Sequence, residues 1–263
     1  MLYPMTFKPI LKKIIWGGSD ICPFKGITPV QEGIGESWEL SHVEGNYSVV
    51  DNGALEGKTL DELIRTYGKQ LLGEKVVEQF GSIFPLLIKF IDARDNLSIQ
   101  VHPDDELAKK RHNSFGKTEM WYVINAAKGA GLYSGFSKQI NADEYVKRVE
   151  DNTIMDVLQR YEVNPGDVFF LPAGRVHAIG AGCFIAEIQQ TSNISGFMRC
   201  GKRQAQSRAA GGNRRRADCR RPATLLAQAC RQPQRARVVA DDQRLNRAVR
   251  GAQFRSEEHT SEL

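Results

Sequence analysis

Over the first 195 residues, apolar and polar positions alternate in short runs, broken in three places by helical spacing. The alternation predicts strands over Ser48–Val50, Phe84–Ile91, Leu97–His102, Glu119–Ile124, Asp167–Leu171 and Phe184–Gln190. Apolar residues recurring every three or four positions predict helices over Thr59–Phe80, Pro103–His112 and Ala142–Tyr161. Asn164-Pro165-Gly166-Asp167 and Pro172-Ala173-Gly174 are turns by composition, and they flank the apolar strand "VFFL". A turn, a strand, a second turn and then a histidine fit an antiparallel β-sandwich or barrel with inserted helices, not βαβ units.

The stretch "NLSIQVHPDDE" (Asn96–Glu106) shows the pattern at its sharpest. Strand side chains alternate faces, which puts Leu97, Ile99 and Val101 on one side and Ser98, Gln100 and His102 on the other. The polar face meets either bulk water or something it binds. Pro103 and the acidic residues Asp104, Asp105 and Glu106 follow directly, as suits a helix N-terminus.

Length and composition narrow the class. A chain of 263 residues, 41% of them hydrophobic, can build a real core in one large domain or two small ones. No basic and apolar leader opens it, and the apolar run Ile83–Ile91 is short and interrupted by Lys89, so we expect a cytoplasmic protein with no membrane partner. Five scattered cysteines (Cys22, Cys183, Cys200, Cys219 and Cys230) form no C-x-x-C pair, which points away from a disulfide framework and a thiolate zinc site.

The net charge of +5 divides unevenly. From Arg199 onward, 15 Arg and one Lys stand against six acidic residues, or +10, which leaves −5 on residues 1–198. The text after Ser195 is rich in Arg, Ala and Gln and has neither Trp nor Tyr. An arginine-rich arm for nucleic acid and a solvated disordered tail both fit that composition. A third reading fits better. The last nine residues, "RSEEHTSEL", back-translate into AGATCGGAAGAGCACACGTCTGAACTC, which resembles the start of a common sequencing adapter. We therefore expect residues 1–195 to be an incomplete domain and residues 196–263 to be a non-native, disordered frameshift product with an adapter-derived end.

Four segments offer residues of metal-ligand type. Gln100 and His102 stand two apart on one strand face. In "GKTEMWYVI", Lys117, Glu119 and Trp121 share a face; His177 follows the "LPAGR" turn, and Glu187 lies in "FIAEIQQ". Taken singly, each has an ordinary explanation, since a histidine near a turn is more often structural than a ligand and a strand glutamate is usually its wet side. His112 reads as a surface or capping residue, His42 stays undetermined, and Trp38 and Trp121 read as packing residues. The combination is what stands out: a Gln-x-His pair, a Glu and a second His on separate strands suit Zn²⁺ or a similar divalent ion with a position left open.

"IGESWELS", "SIQVHPDD", "FGKTEMWYVI" and "PAGRVHAIGAG", in this order and spacing between about Tyr3 and Ser195, resemble the type I mannose-6-phosphate isomerases of the short bacterial kind. The resemblance implies a cupin (jelly-roll) fold with inserted helices, one zinc ion per chain, and interconversion of mannose 6-phosphate and fructose 6-phosphate through an enediol. It also implies Gln100, His102, Glu119 and His177 as metal ligands, Ser98 and Lys117 at the substrate, and Glu187 with Lys117 in catalysis. Family members continue "TSNIS" with Tyr-Arg-Ile-Tyr, whereas this chain has Gly196-Phe197-Met198-Arg199. A one-base shift can restore Arg-Ile-Tyr there, and Arg199 does not replace the family's Arg, so we expect impaired activity in the literal chain. The alternative is a non-catalytic metal- or sugar-binding cupin whose basic tail contacts nucleic acid. It would show salt-dependent DNA or RNA binding that vanishes without residues 196–263.

Overall fold

The computed structural model describes residues 2–192 and the backbone of residues 196–197. Strands β1 (Phe7–Lys8), β2 (Ile10–Gly18), β3 (Ile34–Leu40), β4 (His42–Val43), β5 (Asn46–Tyr47) and β6 (Val49–Val50) come first. They are followed by β7 (Leu86–Ala93), β8 (Gln100–Val101), β9 (Glu119–Ala126), β10 (Gly131–Phe136) and β11 (Leu158–Glu162). The described part closes with β12 (Val168–Leu171), β13 (His177–Ile179), β14 (Cys183–Gln190) and β15 (Gly196–Phe197). Two antiparallel sheets dominate, one ordered β12-β9-β14-β7-β2-β3 and the other β11-β10-β13-β8-β15. This is the cupin architecture, mainly β with a few helices.

Between the two sheets, cross-strand rows form layers. In the six-stranded sheet Ile185 pairs with Ile91 and Val123, Glu187 with Lys89 and Trp121, and Gln189 with Leu87 and Glu119. All of these side chains are buried. In the five-stranded sheet Leu132 pairs with Ile179, while the next polar row aligns Ser134 with His177 and His177 with Gln100. One end of the interior is an apolar plug that includes Ile91, Trp121, Val123, Leu132, Phe169, Ile179 and Ile185. The other end of the same rows carries the polar residues. Because facing residues in a sheet repeat with period two, a step of two along each strand takes the interior from core to site.

The outer faces are covered by helices. Phe184 and Phe90 pack with Ile21, Cys22 and Phe24 of α1 (Ile21–Phe24) or beside it. On the other sheet, Val101, Ala178 and Phe136 pack with Tyr145, Val146 and Val149 of the helix Ala142–Glu150. Among the described residues no helix is long and apolar enough to cross a membrane.

The predicted helices are shortened for local reasons. Thr59–Phe80 is three pieces, α2 (Leu60–Tyr67), α3 (Lys69–Leu72) and α4 (Glu74–Phe80), because Gly68 and Gly73 take positive φ angles of 41° and 86° between them. The second helix, α5, covers Asp105–His112, with the Asp104 side chain accepting the Leu107 N–H at 2.8 Å. The third, α6, stops at Glu150; past Asn152, at φ 57°, Leu158–Tyr161 pairs as strand with β10 instead of continuing the helix. The predicted strand Leu97–His102 contracts to β8: Gln100 and Val101 pair in register with partner strands, while Leu97 meets β13 through a single bond from its N–H to the Ile179 carbonyl at 2.9 Å.

At the start of α2 the Thr59 hydroxyl accepts the Glu62 N–H at 3.2 Å, and the Glu62 carboxylate accepts the Thr59 N–H at 2.9 Å, a capping box. The Thr59 backbone, followed by Lys58, lowers the Glu62 carboxyl to about 2. A folded-state pKa below the unfolded one adds stability above the unfolded value, which is lost as pH falls through the folded one. Carboxyl-carbon NMR should therefore show Glu62 titrating near 2, with cap protection lost between about pH 4.5 and 2; ordinary titration near 4.5 would contradict the box.

Candidate metal centre

His102, Glu119 and His177 converge from three directions. His102 follows β8, Glu119 opens β9 and His177 opens β13, and the ligating atoms all lie within 4.8 Å of one another. Each residue is at most 3% exposed. His102 Nε2 and His177 Nε2 are 3.0 Å apart, His177 Nε2 is 3.1 Å from Glu119 Oε1, and His102 Nε2 is 3.5 Å from Glu119 Oε2.

The tautomer of His177 follows from its other nitrogen. Nδ1 lies 2.9 Å from the Arg175 carbonyl oxygen, which can only accept, so Nδ1 carries the proton and Nε2 turns its lone pair to the centre. Burial, followed by the charge of Lys117, holds His102 well below its ordinary pKa and therefore neutral. Burial opposes ionisation of Glu119, but Lys117, His102 and His177 outweigh it and keep the carboxyl well below the usual range. Glu119 Oε1 has no hydrogen-bond partner among the described residues despite being buried. A carboxylate and two neutral imidazoles aimed at one point form a donor set that suits a divalent ion of zinc's type.

A second charged layer adjoins the first. Lys117 Nζ contacts Glu119 Oε2, and lies 3.1 Å from His102 Nε2 and 3.8 Å from Glu187 Oε1. Glu187 receives the Trp121 indole N–H at 2.8 Å on Oε2 and Lys89 Nζ at 2.7 Å on Oε1. Lys89 in turn is 4.0 Å from Glu36, whose Oε2 accepts the Trp38 indole N–H at 2.7 Å. Burial alone would lower the Lys89 pKa, yet Glu187 and Glu36 raise it well above the ordinary lysine value.

The structure thus brings His102, Glu119, His177, Lys117 and Glu187 together. Gln100 is half-buried and directly opposite His177 in the β8–β13 pair, while Ser98 is half-buried two residues before it, outside any strand. The two tryptophans pack as expected, and each also places its indole N–H. Trp121 does pack in the core, but it also holds Glu187, because an indole buried beside a carboxylate must place its N–H. Trp38 likewise donates to Glu36. Lys89 and Glu36 were not expected at the site; the available signal was the lysine that breaks an apolar strand, since such a lysine needs a buried anion. His42 is structural, with Nδ1 accepting the Phe84 N–H at 3.2 Å and Nε2 facing Asp61 at 3.3 Å.

Comparison with known proteins agrees with this geometry. Residues 5–127 match the family of phosphomannose isomerase type I, catalytic domain. The chain is 40% identical over 193 residues to mannose-6-phosphate isomerase ManA of Bacillus subtilis, covering 73% of this chain and 59% of that protein. Over these residues the chain is similar to the type I phosphomannose isomerases. The mannose-6-phosphate isomerase of Streptococcus mutans is 37% identical over 195 residues, 74% of this chain and 60% of that one. The chain spans about 60% of the length of these curated relatives. The crystal structure of mannose 6-phosphate isomerase from Bacillus subtilis superposes with a TM-score of 0.76 at 29% identity, over 91% of this chain and 72% of that one. A mannose 6-phosphate isomerase bound with zinc and yttrium shares the fold, with a TM-score of 0.61 at 18% identity over 74% and 70% of the two chains.

Proposed function

We propose that this domain is built to isomerise mannose 6-phosphate and fructose 6-phosphate with one bound zinc ion. The observation that carries the reading is the donor set His102, Glu119 and His177 standing against a second buried layer of Lys117, Glu187 and Lys89. The first layer can hold a cation and the second can handle a proton.

Aldose to ketose conversion moves a proton between C2 and C1 of the sugar through an enediol. Zinc, when bound, supplies a Lewis acid for the adjacent sugar oxygens. Gln100, His102, Glu119 and His177 are assigned as its ligands. Glu187 is assigned as the base that takes and returns the proton, and Lys89 and Trp121 fix both of its oxygens so that it faces one way. Lys117 carries positive charge to the oxygen on which negative charge develops, and Ser98 holds substrate hydroxyls. Residues 196–263 are assigned as a non-native sequence that lacks the family's Arg; all but the backbone of Gly196 and Phe197 lie outside the described residues.

Incubating the 263-residue chain with mannose 6-phosphate, and separately with mannose and glucose, tests the reading. Slow, zinc-dependent formation of fructose 6-phosphate, suppressed by a chelator, is expected. Failure of the protein to bind zinc, or equal rates with and without the ion, would overturn it, and near-normal turnover would defeat the assignment of residues 196–263. Resequencing the locus tests the tail separately.

A further inference from the structure

We propose that Lys117 competes with the metal at this centre: it yields Glu119 and His102 to an entering divalent cation and moves to Glu187. The inference rests on the reading of these residues as a metal centre, and concerns what the lysine does before and after loading.

Lys117 is 6% exposed, and its ammonium already lies among the donors, against Glu119 Oε2 and 3.1 Å from His102 Nε2. Those are lone pairs that would face a divalent ion. A lone pair cannot serve an N–H and a metal at once, so the two cations exclude one another. Like charge strengthens the exclusion in a water-poor interior. The displaced ammonium cannot simply remain unpaired, since burying an isolated charge is costly.

Glu187 is the available acceptor. Its Oε1 is 3.8 Å from Lys117 Nζ, so a shift of about 1 Å reaches normal hydrogen-bond distance. Oε2 is taken by Trp121 and Oε1 meets Lys89 at 2.7 Å, but a carboxylate oxygen has two lone pairs and Oε1 can accept a second ammonium. Every buried charge is then paired in both states. In metal-free protein Lys117 pairs with Glu119; in loaded protein the cation does so, and Lys117 shares Glu187 with Lys89, which has Glu36 at 4.0 Å as its second partner. Loading the ion and turning Lys117 toward the proton-handling carboxylate become a single event.

Zinc affinity measured by chelator competition, at one pH, on wild type, Lys117→Met, Glu187→Gln and the double variant decides it. Lys117→Met should bind zinc at least about tenfold tighter. Glu187→Gln should weaken binding in wild type, because the expelled ammonium loses its acceptor, and should do so at least about threefold less in the Lys117→Met background. Equal effects in both backgrounds mean simple charge repulsion and overturn the exchange, as does unchanged or weaker binding by Lys117→Met. NMR of wild type with ¹³C-labelled lysine needs no variant to fold: the Lys117 side-chain signal should move on zinc saturation, and an unmoved signal overturns the proposal. If wild type binds no zinc, the centre itself fails along with the exchange; if it binds and the coupling is absent, only the exchange fails.

Discussion

Replacing His102 with alanine, or Glu119 with glutamine, is expected to lower zinc affinity by more than about a hundredfold and to abolish stabilisation of the protein by added zinc. Residues that merely orient metal ligands are worth about 10- to 100-fold in affinity, so loss of a ligand should exceed that range. A ligand at a thousand times its Kd stabilises the native state by about 4 kcal/mol, so the zinc-induced rise in melting temperature is a sensitive readout. Both residues are buried and have their donor atoms within 4.8 Å of the rest of the set. Glu119→Gln also removes the anion that Lys117 contacts, so the metal-free variant should be less stable than wild type as well. Equilibrium dialysis and calorimetry of the three proteins check this. A variant that keeps one zinc per chain at wild-type affinity would remove its residue from the ligand set.

Replacing Lys89 with methionine is expected to destabilise the protein by about 3–5 kcal/mol, the usual consequence of breaking one side of a buried ion pair. Lys89 Nζ is 2.7 Å from Glu187 Oε1, and the two side chains are 11% and 4% exposed, so water does little to screen the loss. Methionine keeps the volume and most of the stem packing, which isolates the charge. Removing both charges, with Lys89→Met and Glu187→Gln together, should recover much of the loss, because no carboxylate is then left unpaired. The pH dependence has a definite sign. The folded-state pKa of Lys89 is raised, so its contribution is fully present below the unfolded lysine value of about 10.4 and is lost only as pH rises through the folded one. The gap between variant and wild type should therefore be constant from about pH 6 to 9. Urea unfolding at several pH values measures it, and a single variant within about 1 kcal/mol of wild type would show that the pair is not holding the barrel.

The chemistry of the site was largely legible before any fold, because residues of a particular kind recur at strand spacing. Gln100 with His102 and Lys117 with Glu119 stand two apart, and that period alone puts each pair on one face. Strand ends were harder to read. Leu97–His102 alternates throughout, yet pairing stops it at two residues, since a strand exists only where a neighbour meets it. Ala142–Tyr161 has helical spacing, but its last part pairs with β10, because tertiary pairing overrides local periodicity. Lys89 looked like no more than a break in an apolar run, and its partner Glu187 lies 98 positions further along.

The amino-acid order by itself determined an antiparallel β domain, the faces of its strands and the residue types fit to hold a divalent ion, since periodicity and side-chain chemistry are local. Only the tertiary structure decided which residues meet. The β7–β14–β9 register brings Lys89, Glu187 and Trp121 into one row, and the β8–β13 pair aligns Gln100 with His177. Burial then removed the water that would otherwise screen these charges, which makes each depend on its neighbour. Adjacency and desolvation belong to the packed sheets and to no segment of the chain.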